Sequence, residues 1–413
     1  MDERYSRTDL PGGPKILTET MPGVRSVSLG VWVKSGSVYE TEEEMGVSHL
    51  LEHMVFKGTQ RRSARELVLA LERVGGSLDA YTTREHTGFQ AKVRDADLEL
   101  AVDVLSDLVL SPLLREEDLE LEREVVLEEI STVEDTPDDL VFELHSRALW
   151  GDHPYGYSIL GTRATVSALT VEDLARVHER SYLSSDLVIA AAGAVDHEEL
   201  VAQVESLFGG TRCGSITLIP PQVDPEPNGG GTLAVPRPSA QTHLVFGTKT
   251  FGHRDPRRYA MILLANGFGG GMSSRLFQRV REELGLAYSV YAYQTFYSEG
   301  GVAGVYLGTR PEWADKAAEV IREEMRELAE AGLTEEELAD LRGQLKGQLA
   351  LSLESSGARL TRLAGVALLG EPFLTLDDLT ARIDAVTVDD VAALAAEYFD
   401  PDRQLLLRLG PEL

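Results

Sequence analysis

The chain has 413 residues, 43% of them hydrophobic and 26% charged, with a formal net charge of −29. That length implies two or more domains, and the composition is that of a folded globular protein rather than a disordered one. Such an excess of carboxylates excludes a nucleic-acid partner, whose affinity would come from Lys and Arg on phosphates, and no apolar run approaches the ~18 residues that span a bilayer, which excludes a membrane partner.

In chain order, the start Met1-Asp2-Glu3-Arg4-Tyr5 lacks the basic-then-apolar pattern of a secretory signal. Val27, Leu29, Val31 and Val33 alternate with smaller or polar neighbours and predict a half-buried strand over 25–34. A helix is expected from about Met45 to Lys57-Gly58, where glycine can take the left-handed conformation that ends helices. Ser63-Ala-Arg-Glu66 reads as a capping box opening a second helix, which stops at Gly75-Gly76. Residues 78–83 and 87–93 read as two strands joined by a polar turn, and a long helix with an acidic first turn runs from 115 to about 133. Tight strand–strand connections among interspersed helices predict an α+β fold with a largely antiparallel sheet. The single cysteine, Cys213, leaves no internal disulfide framework. With no export signal either, a cytoplasmic location is expected.

The same order of elements then recurs. Leu169-Thr-Val-Glu-Asp-Leu is echoed by Val386-Thr-Val-Asp-Asp-Val, and the strands that follow end at Gly193 and Gly410, both pairs 217 apart. Each copy has a Thr N-cap followed by an acidic residue. Leu114-Arg-Glu-Glu-Asp-Leu119 likewise matches Leu333-Thr-Glu-Glu-Glu-Leu338 at an offset of 219. Two homologous repeats are therefore expected, at 1–217 and 233–413, joined by a Pro/Gly-rich linker over 218–232.

The first repeat carries His49-Leu-Leu-Glu52-His53. Residues at i, i+3 and i+4 share one helix face, so two imidazoles can grip one zinc ion while a carboxylate stands beside them. On spacing alone, a surface helix with two histidines fits as well. A catalytic zinc needs a third protein ligand, and the long helix offers Glu122, Glu124, Glu128 and Glu129. Glu122 and Glu129 are two turns apart on one face, so one can ligate while the other orients a histidine. A solvated acidic face is the plainer reading of that run. At the offset of 219, however, Glu129 falls on Gln348 and Glu122 on Leu341, and the second repeat has no His-x-x-Glu-His. Loss of the whole set in one copy is expected if the carboxylates serve a metal. Gly269-Gly270-Gly271 lacks the following Gly-Lys-Ser/Thr of a phosphate loop and reads as a turn. His86 lies in the polar turn after residues 78–83 and is assigned a structural role, whereas His145, His153, His178, His197, His243 and His253 lack partners at ligand spacing and are assigned to packing or surface.

His49-Leu-Leu-Glu-His53-Met-Val-Phe-Lys-Gly-Thr59, with Glu122 and with Glu129 placed 76 positions after His53, resembles the pitrilysin, insulin-degrading enzyme and mitochondrial processing peptidase family. The likeness extends through His153-Pro-Tyr-Gly156 and Ser274-Arg-Leu-Phe to Tyr288, and the length resembles the shorter, processing-peptidase-like branch. The resemblance implies a zinc-dependent endopeptidase that hydrolyses extended or unfolded peptides. His49, His53 and Glu129 would bind one zinc per chain, Glu52 would be the general base that activates water with the zinc, and Glu122 would orient a ligand. Gly76 to Thr83 resembles the edge strand that pairs with substrate, making Asp79, Ala80, Tyr81 and Thr82 substrate contacts, although Asn is usual at Asp79. Arg281 and Tyr288 resemble a second-repeat pair that contacts substrate and transition state, with Arg279 as the competing arginine. The longer relatives use four repeats, so two chains are implied: a homodimer, or a heterodimer with a metal-free homologue. The competing reading is a non-catalytic partner subunit, which would be expected to lose members of the zinc motif.

Overall fold

The computed structural model describes residues 4–183, 186–208, 218–223 and 230–411; Cys213 and residues 224–229 of the expected linker lie outside them. The first sheet contains β1 (Arg4–Asp9), β2 (Lys15–Thr20), β3 (Ser26–Val33), β4 (Ser77–Thr82), β5 (Thr87–Arg94) and β6 (Val188–Gly193) in the order β1-β2-β6-β3-β5-β4. The second contains β7 (Gly231–Pro236), β8 (Thr242–Thr250), β9 (Ala287–Phe296), β10 (Gly301–Thr309) and β11 (Leu405–Gly410) in the order β7-β11-β8-β10-β9. Without β1 the two orders are equivalent. The parallel pair even falls in the same place, β2 with β6 and β7 with β11, and every other pairing is antiparallel. The α+β fold of two homologous repeats is thus written in the strand connectivity.

Most local elements follow their sequence signals. The capping box at Ser63 opens the helix Ala64–Glu72, and the Thr170/Asp173 and Thr387/Asp390 boxes open the helices Val171–Val177 and Val388–Tyr398. Each satisfies orphan N–H groups at a helix start.

Compactness divides the chain differently from the repeats. One unit comprises Met1–Ile130, Tyr157–Pro220 and Leu351–Thr375; the other comprises Ser131–Gly156, Pro221–Ala350 and Leu376–Leu413. The helix Ser356–Leu369, which follows the long helix of the second repeat, therefore lies in the first unit. Its counterpart Pro137–Trp150 lies in the second. Within the first unit, Leu360, Leu363, Ala364 and Ala367 of that helix pack on Leu17, Trp32, Val188, Ala190 and Ala192 of the sheet. Within the second, Val141 packs with Val245, Tyr306, Leu407 and Leu409.

This arrangement corrects the expectation for β3. The strand is buried from Val27 to Val33 rather than half-buried. Its Val27, Leu29, Val31 and Val33 face joins Leu50, Leu51, Met54 and Val55 in the larger core, while its Trp32 face is covered by the helix Ser356–Leu369. Covering both faces removes the solvated side that the alternating pattern implied.

Candidate metal centre

The helix Val47–Val55 starts in a tightly specified place. Gly46 has φ 90°, and a Cβ there would lie 2.6 Å from the Leu160 carbonyl oxygen. The Glu40 carboxylate accepts hydrogen bonds from the backbone N–H groups of Gly46 (2.8 Å) and Ser48 (2.9 Å), supplying partners that the first helical turn lacks. Burial pushes the Glu40 carboxyl up to about 7, against the downward pull of those N–H groups. Val47, Leu50, Leu51, Met54 and Val55 enter the core. That rotation leaves His49, Glu52 and His53 on the other face, as their spacing requires.

The long helix Glu116–Asp135 brings Glu129 to this face. His49 Nε2 lies 3.5 Å from Glu129 Oε2, and His53 Nε2 lies 3.7 Å from Glu129 Oε1. One ligand atom from each of the three lies within 4.8 Å of the others, and no other such His/Cys/Asp/Glu group occurs among the described residues. A tetrahedral zinc with bonds of roughly 2.1 Å holds its ligand atoms about 3.4 Å apart. The donor set fits zinc, and the two histidine-to-Glu129 separations already lie near that spacing. Burial pushes the His49 imidazole down to about 4, and the charge of His53 adds to the effect, so at neutral pH His49 is uncharged with a lone pair to donate.

Glu122 sits behind His53. Its Oε2 is 3.0 Å from His53 Nδ1, and its Oε1 forms an ion pair with the Lys57 ammonium. Glu122 is only 6% exposed, so the two contacts satisfy a carboxylate that would otherwise be costly to bury. Glu52 is held separately. Thr82 Oγ1 donates to Glu52 Oε2 at 2.7 Å. Burial raises the Glu52 carboxyl above the usual range and nearby Glu129 adds to the rise, whereas Thr82 and His53 pull it down.

Thr82 ends β4, which pairs only with β5 and forms one edge of the first sheet. Leu78 and Ala80 pack toward the main core, on the same side as Thr82. Asp79 and Tyr81 alternate to the opposite side, where the Tyr81 hydroxyl accepts from Trp32 Nε1 at 2.9 Å. Of the four expected substrate contacts, Thr82 therefore has its side chain at Glu52, and Asp79 and Tyr81 have only backbone to offer on that side.

Two family models match the chain: insulinase (peptidase family M16) over residues 15–163, and the peptidase M16 inactive domain over 168–345. An uncharacterized zinc protease of Streptomyces coelicolor is 41% identical across 98% of this chain and 89% of its own length. The chain belongs to peptidase family M16. The uncharacterized zinc protease YmxG of Bacillus subtilis is 39% identical over 98% of both chains. Among solved structures, a peptidase M16 inactive domain from Pseudomonas fluorescens matches with a TM-score of 0.92 at 21% identity, covering 99% of this chain and 98% of its own. A protease from Helicobacter pylori matches with a TM-score of 0.92 at 20% identity, over 99% and 100%. These two share the M16 fold.

Arg279, Arg281 and Tyr288 lie in the second compact unit. The Arg281 guanidinium stacks on Tyr288 at 4.4 Å and on Phe277 at 4.7 Å, and donates to the Tyr288 carbonyl at 3.1 Å. Arg279 instead pairs with Glu283 at 2.7 Å. Tyr288, at the start of the edge strand β9, is 78% exposed. Gly269 lets its helix end approach β9, since a Cβ there would lie 2.2 Å from the Ala292 nitrogen. His145, His178 and His243 are buried against the Leu405 carbonyl, the Val109 carbonyl and the Tyr306 hydroxyl. His86 is part-buried beside Tyr81, and burial pushes its imidazole down to about 4.

Sequence reasoning missed Glu40 and Lys57, and it missed the role of Thr82 toward Glu52. Lys57 does fall four positions after His53, about one helical turn further on, which offered a faint signal. Glu40 and Thr82 reach the helix from separate elements, and nothing local marks them.

Proposed function

We propose that this M16 chain is a zinc-dependent endopeptidase of extended or unfolded peptides, with one zinc per chain held by His49, His53 and Glu129. The observation that carries the reading is the meeting of those three ligand atoms beside a carboxylate, Glu52, fixed by a different element. When bound, zinc supplies Lewis acidity that polarises the scissile carbonyl and makes water more acidic.

The chain's own residues supply the rest. Thr82 engages Glu52 Oε2, which leaves Oε1 to take a proton from the attacking water and return it to the departing amine. The raised pKa of Glu52 makes it a stronger base than an exposed carboxylate. Glu122 accepts from His53 Nδ1–H, fixing the tautomer whose Nε2 lone pair faces Glu129. The free edge of β4 offers unpaired backbone groups to which an extended peptide can add as a strand; Asp79, Ala80 and Tyr81 contribute through their main chain. Arg281 and Tyr288 are assigned substrate contacts on the strength of the family resemblance. The functional assembly is a homodimer, or a heterodimer with a metal-free homologue.

The test is metal analysis of the purified protein together with cleavage of an unfolded protein substrate. The reading expects one zinc per chain and cleavage that a chelator abolishes and added zinc restores. Absence of stoichiometric zinc would contradict it.

A further inference from the structure

A cavity of about 340 Å³ opens at the start of β9, lined by Arg281, Tyr288, Arg310, Trp313 and Gln241. Two guanidiniums share it, each laid on an aromatic ring: Arg281 on Tyr288 at 4.4 Å, and Arg310 on Trp313 at 4.5 Å. A guanidinium held by its face keeps its N–H edge available for a planar, two-pronged acceptor; among the described residues this holds for Arg310, while Arg281 gives one N–H to the Tyr288 carbonyl. Arg281 has Glu282 at a long 3.7 Å, and among the described residues Arg310 pairs with no carboxylate. In a chain of net charge −29, a cavity presenting two arginines with so little acidic compensation is a local reversal of sign. The backbone points the same way. β9 pairs only with β10, so its other edge is free, and the ladder shifts register between Gly308 and Thr309, opposite Ala287. Irregularities of this kind re-aim chain at functional edges.

We infer that this cavity is a carboxylate-binding site that anchors a peptide, through its C terminus or an acidic residue, against the free edge of β9. Arg310 is the principal ligand, Arg281 assists, and the Gln241 amide offers a further donor. The proposal rests on the reading that this chain handles peptides, and it specifies which peptides it favours. Strand addition along β9 supplies sequence-independent affinity, and the two guanidiniums supply selection for a negative end.

The test uses the full-length zinc-loaded protein carrying Glu52→Gln, so that binding is read without turnover. One fluorescent ten-residue peptide is prepared in three forms: free C-terminal carboxylate, C-terminal amide, and amide with Glu as its last residue. Anisotropy titrations should give a carboxylate form about tenfold tighter binding than the plain amide, as expected for a charge-assisted bidentate contact. Whichever carboxylate form binds more tightly identifies the source of the recognised group. Adding Arg310→Gln should reduce the preference to within about twofold, and Arg310→Lys should retain part of it. Equal affinity for all three forms overturns the proposal, as does a preference that survives Arg310→Gln in a protein of unchanged melting temperature. If Arg310→Gln does not fold, the three-peptide comparison and Arg310→Lys decide. Cleavage by the protein with Glu52 intact is scored separately, so failure of the peptidase reading is distinguishable from failure of the anchor.

Discussion

Glu122→Gln removes a charge from behind the metal centre while keeping the shape of the side chain. Glu122 is 6% exposed, with His53 Nδ1 at 3.0 Å on one oxygen and the Lys57 ammonium on the other. A hydrogen bond involving a charged group contributes about 1.5–3 kcal/mol, against about 0.5–1.5 for a neutral one. The loss at His53 is then about 1–1.5 kcal/mol, which weakens the hold on zinc roughly tenfold, within the range typical of groups that orient a ligand. Lys57 loses its partner too, but its side chain is 33% exposed and can turn to water, so the fold should survive. The assay is titration of metal-free protein with zinc against a chromophoric chelator, with thermal melting followed in parallel. A Glu122→Gln protein that folds normally and binds zinc with unchanged affinity would refute the positioning role.

Three other outcomes follow from the geometry. Gly46→Ala forces φ 90° on a residue with a Cβ only 2.6 Å from the Leu160 carbonyl oxygen; it should cost at least about 1–3 kcal/mol, read from denaturant unfolding. Thr82→Val removes the hydrogen bond that pulls the Glu52 carboxyl down, so Glu52 should titrate at higher pH. The acid limb of the pH–rate profile should move up, and an unshifted limb would argue against Glu52 as the base. Arg275 grips Glu337 with two hydrogen bonds of 2.8 and 2.7 Å and holds its carboxyl at about 2, below the ordinary 4.5. A depressed pKa stabilises the fold above pH 4.5, and that contribution fades as pH falls toward 2. The stability difference between the native protein and Glu337→Gln should therefore shrink over that window, from a value of under about 1 kcal/mol because the pair is partly exposed.

Much of the architecture is legible in the sequence because its signals are local. Capping boxes at Ser63, Thr170 and Thr387 and the punctuation at Gly58 and Gly75 depend on neighbours in the chain, and the repeat offset carries them from one copy to the other. The pair His49 and His53 is legible for the same reason, since helical spacing fixes their common face. What the sequence hides is non-local. β3 reads as half-buried because nothing near it announces that a helix more than three hundred residues later covers Trp32. Spacing placed Glu122 and Glu129 on one face, but the assignment of one to His53 Nδ1 and the other to both Nε2 atoms depends on how two helices cross. Glu40 and Thr82 are hidden likewise, each reaching the histidine-bearing helix from another element.

The most direct test of the central claim compares zinc content and peptide cleavage in the native protein and in Glu52→Gln. Glu52 is assigned to proton transfer and not to ligation, so the variant should keep one zinc per chain while cleavage falls by at least about a hundredfold. Cleavage that persists in Glu52→Gln, or zinc that leaves with the carboxylate, would contradict the account.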